Sequence, residues 1–206
     1  MKAWLEKHFG KAWLALVYLF LYMPLLFMVV FSFNSTRQDA NFTGFSLRWY
    51  EALTRDTKIV EGFWLSIQVA LVTGVLSAVL GTFAAFVLVR YRRFLGRTAF
   101  SGMVNAPLVM PEVVIGLSLL LLMVGAQNVF GWPERGMFTI ILGHTLLGMA
   151  YGMVVIQSRL LEVNRSLEEA AMDLGARPHE VFFLVTLPNI AQGILAAFLL
   201  SFTLSF

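Results

Sequence analysis

The sequence predicts an all-α, polytopic membrane protein. Three observations carry this. The chain is 59% hydrophobic with only 13% charged residues, and its mean hydropathy of +0.78 exceeds what an aqueous core absorbs. The apolar residues fall into runs long enough to cross a hydrocarbon core of about 30 Å at about 1.5 Å of helix per residue. The basic residues gather in short clusters beside those runs, as topology requires, so the net charge of +3 is no argument for nucleic acid. No cysteine is present, which excludes disulfides and thiolate chemistry. His8, His144 and His179 lie in separate segments, so no metal site is expected.

The elements follow in order. Residues 12–33 carry no charge and follow Lys2, Lys7 and Lys11. They are too long for a signal-peptide core and read as a first, uncleaved span with Pro24 inside it. Residues 34–61 hold four basic and four acidic residues and read as an external loop, with Trp49 and Tyr50 suited to the interface. The second span is 63–89, where Gly74 and Ala78, and Ser77, Gly81 and Ala85, recur four apart, a spacing that lets another helix approach closely. Arg90, Arg92, Arg93 and Arg97 follow without an acid among them, which places that loop on the cytoplasmic side.

The third span is expected over 100–124, and Glu112 is the sole acid within any expected span. Counted from Phe100 along one continuous helix, it lies about 18 Å deep. An ionisable group at that depth faces a cavity or a partner. Pro111 and Pro107 lack N–H groups and so free the carbonyls of Pro107 and Met103. With Asn105 nearby, this is an acceptor-rich spot suited to a passing ammonium group. A structural carboxyl, protonated or paired with a neighbouring subunit, is the other reading. The fourth span is 137–157, with Gly148 and Gly152 as a packing face. Tyr151 lies seven residues from His144 on one face, and the pair either lines the pathway or belongs to the core.

Residues 158–188 form a polar insertion before a fifth span at 190–206. Ser166 and Glu169 have the spacing of a capping box. Leu167, Ala170, Ala171 and Leu174 make one apolar helical stripe, and Gly175 stands where a helix end favours a left-handed residue. Pro178 can open a second short helix, with Val181, Phe182, Leu184 and Val185 on its apolar side.

This insertion resembles the EAA loop of bacterial ABC-importer permeases. The matching positions are Glu169-Ala170-Ala171, Gly175, Val185 and Leu187-Pro188, with Val185 where isoleucine is usual. The segment APLVMPEVVIGLSLLLL resembles the corresponding helix of the spermidine/putrescine permeases, with Glu112 where Asp is common. The resemblance implies six spans and two short cytoplasmic coupling helices. It thereby implies that the sixth span is missing here and that the chain is C-terminally truncated. It further implies a subunit of an inner-membrane importer for putrescine or spermidine, with its N-terminus cytoplasmic. The implied partners are an ATPase dimer, a second homologous permease, a periplasmic substrate-binding protein and the bilayer, without nucleic acid. Glu112, Asn105, Pro107, Pro111 and Tyr151 are then expected along the substrate pathway. Glu169, Ala170, Ala171, Gly175, Leu187 and Pro188 are expected to couple to the ATPase. The chain has no GxxxxGK[ST] loop, so it is not expected to be an enzyme or to hold a cofactor. ATP and magnesium would belong to the partner. The alternatives are an ABC permease for ferric iron, an amino acid or an anion, a secondary transporter using Glu112 for ion coupling, and a membrane interaction protein without transport.

Overall fold

The computed structural model describes residues 2–36, 41–91 and 93–206, with side chains described from Phe9 onward. Arg92 lies outside the described residues. Among them the chain is helical: α1 (Lys2–Phe31), α2 (Arg48–Arg55), α3 (Thr57–Arg90), α4 (Arg97–Val109), α5 (Glu112–Phe130), α6 (Met137–Glu162), α7 (Arg165–Asp173), α8 (Pro178–Val181), a π-helical turn (Phe182–Thr186), α9 (Leu187–Asn189) and α10 (Ala191–Ser205). Among the described residues four helices are long and apolar enough to cross a membrane, and five spans result if the bent run from Pro178 to Ser205 counts as one.

The chain divides into two units, 1–63 and 64–206. In the first, described residues that follow α1 gather around Asn34. Its side chain is 2% exposed, accepts hydrogen bonds from Thr43 N at 2.8 Å and Thr43 Oγ1 at 2.9 Å, and donates to Asn41 O at 3.0 Å. Trp49 of α2 donates to Asn34 O at 2.8 Å. The loop expected over 34–61 therefore contains a helix of its own, and α3 starts at Thr57, six residues before the expected span.

The second unit is built on close backbone approach. Ser77, Ala78, Gly81, Ala84 and Ala85 of α3 are buried, as are Gly148, Gly152, Met153 and Ile156 of α6 and Gly193, Ala197 and Ser201 of α10. A Cβ on Gly81 would stand 3.0 Å from Met153 N, so α3 and α6 meet backbone to backbone. A Cβ on Gly152 would stand 3.4 Å from that of Ala197. Between helices in lipid, where apolar burial offers no preference for a partner helix, such contact and interhelical hydrogen bonds supply the cohesion. Ser201 Oγ donates to Gly148 O at 3.1 Å. The packing role expected for the small residues at four-residue spacing is the one observed.

The third span is where sequence and structure differ. The continuous helix expected over 100–124 is broken. α4 ends at Val109, Met110 and Pro111 are extended (φ −82°, ψ 143° and φ −57°, ψ 131°), and α5 begins at Glu112 and continues to Phe130. Pro111 causes this, because the residue before a proline is pushed out of the helical region and the proline itself donates no hydrogen bond. Pro107, by contrast, remains inside α4.

Candidate functional site

Two sites follow from the sequence: a pathway site around Glu112 and a coupling module in the 158–188 insertion. At the first, the helix break places Glu112 in the first turn of α5. The continuous-helix count that gave its depth therefore does not hold. α5 alone is 19 residues, about 28 Å of helix, which is close to a full hydrocarbon thickness. Its N-terminus also offers N–H groups without intrahelical partners and a partial positive charge. The surroundings of the carboxylate are thus less negative than the free-carbonyl argument implied, and Pro111 O itself accepts from Val114 N at 2.9 Å and Ile115 N at 3.2 Å. Glu112 is exposed within this chain, and among the described residues it has no ion-pair partner.

Pro111 adjoins it at the break, and the other expected pathway residues share no hydrogen bond with it among the described residues. Asn105 turns its amide back onto its own helix, donating to Ser101 O at 2.7 Å. Pro107 is buried and lines an apolar pocket of about 260 Å³ with Met110, Ile115 and Leu146, whose walls include neither Glu112, Asn105 nor Tyr151. Tyr151 is half-buried on α6. His144 is bound at Nδ1 to Ser205 Oγ of α10 at 2.8 Å, which makes it an interhelical hydrogen-bonding residue.

The coupling module is better defined. Its cap is Asn164, whose Oδ1 accepts from Ser166 N at 3.0 Å. This replaces the capping box expected between Ser166 and Glu169, because α7 already begins at Arg165. Asn is among the strongest N-caps, so the shift costs the helix nothing. The C-terminus is as expected. Gly175 has φ +94°, its N–H bonds to Met172 O at 2.9 Å and the N–H of Ala176 bonds to Ala171 O at 3.0 Å, the paired bonds of a Schellman motif. Pro178 is the first residue of α8, and Glu180 Oε2 accepts from Arg177 N at 2.7 Å.

The run then winds wider than an α-helix. Leu187 N–H reaches Phe182 O, five residues back, and Pro188 cannot donate to Leu184 O. The extra residue rotates the helix face, so Thr186 is buried while Leu184, expected on the apolar side, is 75% exposed. Phe182 packs edge-on to Phe86 of α3 with ring centroids 4.8 Å apart. Leu187 and Pro188 line an apolar groove with Val75 and Val79 of α3 and Phe198 of α10. At Ile190 the run bends by 68° into α10.

Sequence reasoning missed the residue that ties this module to the helices. Glu168, 7% exposed, receives three hydrogen bonds at Oε1: from Arg90 Nη2 at 2.7 Å, from Arg90 Nε at 3.1 Å and from Thr186 Oγ1 at 2.7 Å. One buried carboxylate thus joins the end of α3, α7 and the π-turn. Glu169, the acid of the motif, is instead 61% exposed and pairs loosely with Arg165 at 3.6 Å. Glu168 lies about 100° of helix rotation from Leu167, on a face apart from the apolar stripe of Leu167, Ala170, Ala171 and Leu174. That stripe is open at its leucines: Leu167 is 50% and Leu174 90% exposed.

Residues 77–206 match the family described as binding-protein-dependent transport system inner membrane component. The chain is 51% identical over 193 residues to the putrescine transport system permease protein PotI of Escherichia coli K12, covering 93% of this chain and 69% of that one. It is 34% identical over 195 residues to the spermidine/putrescine transport system permease protein PotC of Haemophilus influenzae, covering 95% and 74%. A crystal structure of an amino acid ABC transporter superposes with a TM-score of 0.55 at 19% identity, over 82% of this chain and 75% of that one, which is a likeness of fold.

Proposed function

Because the chain belongs to the family of binding-protein-dependent transport system inner membrane components, we propose that it is the permease subunit of an ABC importer for a polyamine, putrescine before spermidine. It is a multi-pass transport subunit and not an enzyme. The coupling module carries the reading. α7 is capped at both ends, clamped by Glu168 to Arg90 and Thr186, and leaves Leu167 and Leu174 uncovered. A rigid lever with an open apolar face is what a separate ATPase needs to move the spans. That ATPase holds ATP and magnesium and docks on this face. A second permease completes the pathway, a periplasmic protein delivers the solute, and the N-terminus and coupling module face the cytoplasm, as the basic clusters require.

The substrate assignment rests on identity with putrescine and spermidine permeases and agrees with a carboxylate at the α4–α5 break. Uptake of radiolabelled putrescine by cells carrying the complete transport system, with parent chain or Glu112→Gln, tests it. Loss of uptake in an assembled Glu112→Gln complex supports a cation site. Unchanged uptake makes Glu112 structural. Absence of putrescine uptake by the parent removes the polyamine assignment and leaves the importer assignment intact.

A further inference from the structure

The start of the coupling module borders a cleft of about 580 Å³ formed where α3 and α6 end and α4 and α7 begin. Its wall holds three guanidinium groups, Arg90, Arg97 and Arg165, together with Gln157, and no carboxylate. The charges are unequally compensated. Arg90 is neutralised by Glu168. Arg165 shares Glu169 across a long 3.6 Å contact at the surface. Arg97 has no acidic partner among the described residues, and the one hydrogen bond of its guanidinium is a long 3.4 Å contact to Leu88 O. The Gln157 amide has no partner among them either. The remaining wall is apolar and includes Leu161 and Val163. Excess positive charge, a free amide and apolar surface therefore share one recess, and that recess lies where the long apolar helices α3 and α6 end in charged residues.

We propose that this cleft is a binding site for a phosphate group, held by Arg97 and Arg165 with Gln157 as a further donor. Guanidinium groups suit phosphate because their forked N–H donors match its oxygens. Basic recesses between helices at a membrane face are where anionic headgroups are held, and the apolar wall suits the glycerol and first methylenes of a lipid. A free phosphate would use the same donors without that wall. The site lies at the N-terminal end of the coupling module, beside the Arg90–Glu168 pair, so its occupant braces the junction that Glu168 closes. The proposal does not depend on which solute the protein carries.

The test is binding of dansyl-labelled short-chain phosphatidylglycerol to the full transporter complex in detergent, followed by anisotropy, with phosphatidylcholine of equal chain length as reference. Arg97→Gln/Arg165→Gln is compared with Arg93→Gln, an exposed arginine outside the cleft wall. The double variant is expected to bind phosphatidylglycerol roughly tenfold more weakly, and Arg93→Gln within about twofold of the parent. Displacement of the lipid by millimolar inorganic phosphate assigns the site to a soluble phosphate. Resistance to displacement assigns it to the lipid. Equal affinity of parent and double variant, or equal loss in Arg93→Gln, overturns the proposal. If the double variant does not assemble, Arg97→Gln alone carries the same comparison.

Discussion

Adjacent carboxylates in one helix have opposite fates here. Glu168 and Glu169 differ by one position, about 100° of helix rotation, and that rotation decides which is buried against Arg90 and which is in water. The consequences differ in kind. Removing the charge of Glu168 leaves the Arg90 guanidinium, whose side chain is 11% exposed, without its counter-ion, and breaking a buried pair from one side costs about 3–5 kcal/mol. Glu168→Gln is therefore expected to lower the unfolding midpoint of the purified chain steeply, and Arg90→Gln/Glu168→Gln to recover much of the loss. Glu169→Gln disturbs a solvated pair worth less than about 1 kcal/mol and is expected to leave the midpoint unchanged. Equal effects from the two single variants would remove the buried node from the account of this fold.

At the scale of elements, two glycine positions do different work. Gly175 has open space around it, so its requirement is conformational. A residue with a Cβ at φ +94° costs about 1–2 kcal/mol. Gly175→Ala should lower stability by about that amount and reduce uptake, while Gly175→Asn should cost less, because Asn tolerates the left-handed region. Gly81 is the converse case, with no unusual backbone angle but the α6 backbone 3.0 Å from where its Cβ would be. Gly81→Leu is expected to abolish recovery of folded protein in size-exclusion chromatography. Gly102→Leu, at a site on α4 with nothing within 4 Å, should behave as the parent. If both elute normally, α3 and α6 are not packed as closely as described.

For the molecule as a whole, the exposed stripe of α7 is the feature the chain does not use internally. Leu174, 90% exposed, contributes little to folding, so Leu174→Asp should change stability by less than about 0.5 kcal/mol. On a docking face the same charge would be driven into an apolar contact. Leu174→Asp is therefore expected to purify as a folded chain but without the ATPase that accompanies the parent. Stoichiometric recovery of the ATPase with Leu174→Asp would place the docking face elsewhere.

Sequence by itself determined the membrane class, the helical content, the packing faces of Gly81, Gly148 and Gly152, and the end of α7 at Gly175. Each depends on interactions within a few residues: hydropathy summed over a window, small residues at one helical spacing, a single backbone angle. The break at Met110–Pro111 was written in the same local terms, since Pro111 both lacks a donor and constrains Met110, but a long apolar run argued for continuity and Pro107 shows that one proline alone need not end a helix. Only the tertiary structure decided that Glu168 rather than Glu169 is held, that His144 bonds to Ser205, and that Arg90 is a structural cation as well as a topological one. Those pairings join residues 78 and 61 positions apart. No local pattern specifies which distant group will meet a buried charge, because its partner is chosen by helix packing and by the cost of leaving that charge alone.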